Sequence, residues 1–274
     1  MSARPENAIG AGAPACAEHT FYRDALEHLR RHGVPFLVGG AYALAHYGGV
    51  QRATKDFDIF VRPADCGRTL AVLAALGLRT EVTFTHWLGK AFCGEYFIDV
   101  IFGSGNGLCR VDDEWFAHAI DLELWGVPVQ IVPAEEMIWS KASIMERDRF
   151  DGADIAHVLR AHGPELDWGR LLARFGGHWR ILLAHLVLYG FIYPSERERI
   201  PGAVLEALLE RLRRDSATPA ADDRLCRGTL LSILQYRTDV EEWGYRDARL
   251  PPEGTMSPEE IARWMAAFTA TGPR

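Results

Sequence analysis

The chain is predicted to adopt an α+β fold: a small mixed β-sheet with flanking helices over residues 18–133, followed by an all-helical region over residues 134–274. Three observations carry this expectation. Short apolar runs bounded by glycine and proline alternate with helical patterns as far as Val132. Beyond Pro133 the apolar spacing becomes helical. The composition, 48% hydrophobic and 24% charged over 274 residues, is that of an ordinary folded protein and excludes disorder and fibres.

Residues 1–17, rich in Ala, Gly and Pro, read as a flexible tail without the continuous apolar stretch of a signal peptide. Thr20 can cap a first helix whose Phe21, Ala25, Leu26 and Leu29 share a face; Gly33 and Pro35 end it. Phe36–Val38 is a short strand, Gly39-Gly40 a sharp turn, and Ala41–Tyr47 an alanine-rich helix. A strand at Phe57–Val61 follows, then Pro63, an Asp65 cap and a helix over Thr69–Leu76 closed by Gly77. Arg79–Phe84, Ala91–Cys93, Tyr96–Phe102 and Val127–Val132 complete the strands. Acids at Asp112, Asp113 and Glu114 suit a helix start before Trp115. The expected later helices are Glu135–Glu146, Ala153–Ala161, Leu171–Phe175, Ile181–Leu188, Val204–Leu212, Leu225–Trp243 and Pro258–Phe268.

A formal charge of −7 argues against a uniformly basic surface for coating nucleic acid. The three lysines, Lys55, Lys90 and Lys141, stand against many arginines, a bias that coding composition alone can produce. Five scattered cysteines, with no C-x-x-C pair, read as reduced thiols of a cytoplasmic protein. The longest apolar stretch, Ile181–Tyr193, is shorter than the roughly 20 residues of a membrane span and contains His185 and Gly190, so it reads as a buried helix. The histidines show no zinc spacing.

Chemistry concentrates in one constellation. In Asp56-Phe57-Asp58, strand alternation sends both carboxylates to one face, where their mutual repulsion becomes favourable with a divalent cation between them. Asp99 interrupts the apolar strand Tyr96–Phe102, where an unpaired buried charge would cost several kcal/mol. It needs a partner: the same metal, or a buried ion pair with an arginine. An isolated D-x-D is more commonly a solvated strand start. The weight comes from the combination with Gly39-Gly40, a glycine turn into a helix that is otherwise an ordinary tight strand-helix turn. Lys141, on a helix with Met137, Ile138 and Ile144, either reaches into the cleft or lies on the surface. Arg52 is a better phosphate ligand than Lys55, which points away from Asp56 if the strand has begun. Arg147, Asp151 and Asp154 would form an ion-paired stripe if one helix continues through them. Gly103–Gly107 lacks the lysine of a P-loop and reads as a turn.

Gly39, Gly40, Asp56, Asp58 and Asp99 resemble the signature of the nucleotidyltransferase superfamily that includes DNA polymerase beta. Within it, Gly39–Tyr47 and Arg52–Asp58 look most like bacterial nucleotidyltransferase-like proteins related to toxins of type IV toxin-antitoxin systems. Pro133–Ala142, followed by Arg147–Asp151 and Asp154, is similar to their lysine-bearing helix and acidic turn. The match covers about residues 34–160 and leaves 165–274 outside it.

The resemblance implies a nucleotidyltransferase core over 18–133 and an enzyme that transfers a nucleoside monophosphate from an NTP to a hydroxyl on tRNA, a protein or a small molecule, releasing pyrophosphate. Asp56, Asp58 and Asp99 would hold Mg2+ or Mn2+, with Asp99 as general base, and Gly39, Gly40, Arg52 and Lys141 would meet the nucleotide. A cognate antitoxin protein is the implied macromolecular partner, and no membrane is involved. Two other readings stay open: a non-catalytic nucleotide-binding or protein-interaction module on the same fold, and structural ion pairs without a nucleotide site.

Overall fold

The computed structural model describes residues 18–51, 54, 56–219 and 223–270. The tail expected at 1–17, together with Arg52 and Lys55, lies outside them. The fold is a mixed α/β core followed by a largely helical region. Helix α1 (Glu18–Arg31) buries Phe21, Tyr22, Ala25, Leu26 and Leu29 and carries Arg30 and Arg31 in its last turn, where cations suit the helix dipole. Strand β1 (Leu37–Val38) leads through Gly39 into α2 (Gly40–Gly48). Then come β2 (Asp56–Phe60), α3 (Cys66–Ala75), β3 (Arg79–Phe84), β4 (Leu88–Cys93), β5 (Tyr96–Ile101), α4 (Asp113–Ala117), β6 (Ile120–Leu124) and β7 (Val127–Ile131).

These strands form one seven-stranded sheet in the order β3-β4-β5-β2-β1-β7-β6. Strand β2 runs parallel to β5 in the register Asp58 opposite Asp99 and Phe60 opposite Ile101, and antiparallel to β1. Alternation divides β2 and β5 cleanly: Phe57, Ile59, Ile98 and Val100 are buried in the core, and Asp56, Asp58 and Asp99 occupy the other face.

The helices that follow are α5 (Ala134–Ala142), α6 (Gly152–His162), α7 (Trp168–Phe175), α8 (Trp179–Ile192) and α9 (Gly202–Ala217). One apolar cluster runs from Phe21 to Leu208, so the sheet and these helices share a core across Pro133. Polar clamps reinforce the junction. Glu135 and Glu136, at the start of α5, are buried, and the Arg170 guanidinium bonds both carboxylates. Arg174 bonds Glu136 at 2.9 Å and grips both oxygens of Asp112 at 2.6 and 2.8 Å. Asp112 also caps α4 by accepting from the Glu114 N–H at 3.1 Å.

The C-terminal part is β8 (Leu225–Cys226), α10 (Arg237–Glu241), β9 (Arg246–Asp247) and α11 (Pro258–Ala270). It buries a second cluster of Ile233, Met256, Ile261 and Trp264, with Phe84 of β3 packed against it, so the end of the chain returns to the sheet. Among the described residues no helix is long and apolar enough to cross a membrane.

Four expectations need correction. The helix expected over Glu135–Glu146 ends at Ala142, and Ile144–Phe150 forms a tight loop in which the Glu146 N–H donates to the Arg149 carbonyl at 2.8 Å. The continuous helix expected over Leu225–Trp243 is instead a two-residue strand, a 3-10 turn and the short α10, because the Met145 N–H and Glu146 carboxylate engage Leu231, Ser232 and Ile233. Strand β6 was unexpected; its Asp121 and Glu123 alternate with Ile120, Leu122 and Leu124 at the sheet edge. Cys66, Cys109 and Cys226 are free thiols, but Cys93 is disulfide-bonded.

Candidate active site

The site forms where β2 and β5 lie side by side. Their parallel register places Asp58 beside Asp99, and alternation brings Asp56 to the same face. One oxygen from each of Asp56, Asp58 and Asp99 lies within 4.8 Å of the others. Enclosure, reinforced by the Asp99 and Asp56 charges, pushes the Asp58 carboxyl up to about 7. Burial also raises Asp99; the Lys90 ammonium pulls it part of the way back, and Asp56 adds to the rise. The Thr54 hydroxyl bonds the Asp56 carboxylate.

The Gly39-Gly40 turn is pressed onto these acids. The Gly39 N–H donates to the Asp58 carbonyl at 3.0 Å. Gly40 has φ +52, and a Cβ there would stand 1.8 Å from Asp58 Oδ2. Only glycine combines that backbone with so close an approach, and its bare backbone opens the first turn of α2 toward the carboxylates.

Lys141 does reach the cleft. Its ammonium bonds Asp151 at 3.0 Å and Asp154 at 2.9 Å, and it contributes favourably to the field at Asp58. Burial opposes its charge, but the two acids outweigh burial and hold Lys141 above the usual lysine range. Arg149 adds bonds of 3.1 Å to both Asp151 oxygens. The stripe expected from Arg147, Asp151 and Asp154 on one helix does not form: Asp151 sits at the cap position before α6, and Arg147 lies in the exposed loop before it. Arg52 falls outside the described residues.

Sequence reasoning missed two parts of the site. The first is Lys90, brought opposite Asp99 by the antiparallel β4–β5 register and bonded to Asp99 Oδ1 at 2.6 Å. Its signal was present: in a chain with only three lysines, Lys90 pairs with Asp99 and Lys141 lines the same cleft. The second is a wall formed by Thr229–Ile233 and α11, which faces the sheet across a cavity of about 280 Å³. Gly40, the three aspartates, Lys141 and Arg149 line this cavity together with Trp87, Leu230, Trp264 and Phe268. Gly103, Ser104, Gly105 and Asn106 also belong to its wall.

Three carboxylates converging on one point are hard oxygen donors suited to a divalent cation of the Mg2+ or Mn2+ type. Glycine backbone and two cations nearby suit a polyphosphate.

No family model and no curated protein matches the chain. Solved structures resemble it at low identity. The antibiotic-resistance factor ANT(2'')-Ia is 17% identical, with 73% of this chain and 93% of that chain covered and a TM-score of 0.39. The lincosamide antibiotic adenylyltransferase LnuA is 14% identical, with 51% and 94% covered and a TM-score of 0.37. An antigenic nucleotidyltransferase-like protein from Paracoccidioides brasiliensis is 13% identical, with 62% and 92% covered and a TM-score of 0.35.

Proposed function

We propose that this protein is a metal-dependent nucleotidyltransferase that transfers a nucleoside monophosphate from an NTP to a hydroxyl acceptor and releases pyrophosphate. The observation that carries the reading is the convergence of Asp56, Asp58 and Asp99 within 4.8 Å, beside a glycine turn that leaves no room for a side chain.

The residues fit a divalent cation on their own chemistry. Burial, reinforced by the neighbouring Asp99 and Asp56 charges, raises the Asp58 carboxyl to about 7, as in a site short of positive charge. Asp56, Asp58 and Asp99 would hold the metal, which when bound neutralises phosphate charge and lowers the barrier to attack by a hydroxyl. The Gly40 backbone permits phosphate oxygens to approach the start of α2. Lys141 and Arg149, fixed by Asp151, add positive field on the helical side of the cleft. Asp99 receives the acceptor proton. Lys90 fixes Asp99 Oδ1, and burial keeps this carboxyl more basic than an ordinary aspartate. The acceptor oxygen forms a bond to the α-phosphorus, the bond from that phosphorus to the bridging oxygen of the β-phosphate breaks, and pyrophosphate leaves with the electron pair.

The test is transfer from an NTP labelled at the α-phosphate, incubated with Mg2+ and cell extract. Label should enter product with release of pyrophosphate, and both should disappear in the Asp56→Ala/Asp58→Ala protein. A folded wild type that neither binds triphosphate nor transfers label would contradict the proposal.

A further inference from the structure

We infer that the acceptor is a small molecule with an apolar, ring-bearing body, seated between the Phe60–Ile101 row of the sheet and the wall made by Trp87, Trp264 and Phe268. The inference rests on the nucleotidyltransferase reading of the carboxylates and adds the substrate class.

The face that presents the acids changes character within one step of the pleat. Asp58 is followed on its face by Phe60, and Asp99 by Ile101, which pair across β2 and β5. Two residues along a strand span about 7 Å. A hydroxyl placed at Asp99 therefore leaves the rest of its molecule over an apolar floor, in the direction of Gly103 and Trp87. The C-terminal segment closes this end from above, with Trp264 7% exposed and Phe268 at its outer edge 44% exposed.

Most polar side chains at this end are already engaged with one another, whereas the buried indole N–H groups of Trp87 and Trp264 have no hydrogen-bond partner among the described residues. The Ser104 hydroxyl donates to Asn106 Oδ1 at 2.6 Å, and Asn106 Nδ2 donates to the Leu230 carbonyl at 2.7 Å. The Thr229 hydroxyl bonds the Cys226 carbonyl at 3.1 Å. The Glu146 carboxylate accepts from the Ser232 hydroxyl at 2.5 Å and the Ile233 N–H at 2.8 Å. These contacts disfavour a polycation, which needs unengaged acids. The two unpaired indole N–H groups can each donate to one oxygen or nitrogen of a ring-bearing ligand. The lining cations, Lys141 and Arg149, stand at the carboxylate end, so the apolar end offers no phosphate backbone a hold. A cavity of about 280 Å³ roofed by the chain itself suits a small molecule more than an RNA stem or a protein surface.

The experiment uses the full chain, Mg2+ and the four NTPs labelled at the α-phosphate, with cell extract separated into a small-molecule ultrafiltrate, total RNA and protein. Label should enter the ultrafiltrate, in material that partitions into organic solvent. Phe268→Ala, at a partly exposed position that the fold tolerates, should slow this labelling about tenfold or more while NTP affinity stays within about twofold. Label on RNA or protein, or on a polycation, overturns the inference and leaves the nucleotidyltransferase reading standing. So does a Phe268→Ala or Trp264→Phe protein that binds ATP more weakly but inorganic triphosphate as before, because the wall would then seat the base. Metal-dependent NTP binding with no labelled fraction also counts against the inference, whereas absent NTP binding defeats the underlying reading itself.

Discussion

Among the described residues, two clusters of three acids are built in opposite ways. In the first, Glu135, Glu136 and Asp112 face Arg170 and Arg174, whose planar guanidinium groups meet every carboxylate. Glu136 is 0% exposed and still fully bonded. Burial works against the Asp112 charge, but the Arg174 bonds outweigh it and hold this carboxyl below the usual range. In the second cluster, Asp56, Asp58 and Asp99 have one lysine in direct contact, and their carboxyls at 58 and 99 are pushed up. Forked arginines complete the structural cluster internally. The other cluster keeps a deficit of positive charge at a cavity, which is what a site for a cation and a polyphosphate requires.

The largest expected effect is on transfer. Asp99→Asn should lower the rate by roughly 10²–10⁴-fold, measured as pyrophosphate release, without unfolding the protein. An equally active variant would remove the proton-accepting role. Next, Arg170→Ala should destabilise the fold by about 3–5 kcal/mol in urea unfolding, because it leaves the buried Glu135 without a cation and Glu136 with Arg174 alone. A loss below about 1 kcal/mol would erase the contrast between the clusters. Gly40→Ala should weaken NTP binding by roughly 10–100-fold, since the added methyl collides with Asp58 and the backbone angle is unfavourable. Tight binding by that variant would separate the turn from the nucleotide.

The smallest effect has the most informative sign. With the Asp58 carboxyl raised to about 7 from 3.8, the folded chain keeps a proton that the unfolded chain releases within that window. Metal-free stability should therefore fall as pH rises from about 4 to about 7. Asp58→Asn should stabilise the metal-free protein by about 1–2 kcal/mol at pH above about 7, after allowance for solvent screening, and by nothing below about pH 4. The corresponding change at Glu136 should destabilise instead, and thermal melts with chelator across this range distinguish the two signs.

The sheet and the acids were legible because strand alternation is local: Asp56-Phe57-Asp58 and the lone Asp99 disclose their faces without knowledge of distant residues. Lys90 was not, because its contact depends on the β4–β5 register, set by a turn at Gly94-Glu95 and by burial of Ala91 and Ile98 on the opposite face. The C-terminal wall was illegible for a related reason. Leu230–Leu234 has a helical apolar pattern, and contacts from the distant Asn106 and from the loop that carries Met145 and Glu146 divert it from a helix. The same loop ended α5 early and broke the expected stripe of Arg147, Asp151 and Asp154. Strand β6, with acids between its apolar residues, carried a period of two that its edge position made easy to overlook.

The most direct test of the unbalanced cluster is calorimetric titration of each NTP into the protein with and without Mg2+, in the wild type and in Asp56→Ala/Asp58→Ala. The expected result is metal-dependent binding by the wild type and none by the folded variant. Binding that ignores both the metal and the substitutions, or a folded wild type that binds no NTP, would contradict the account.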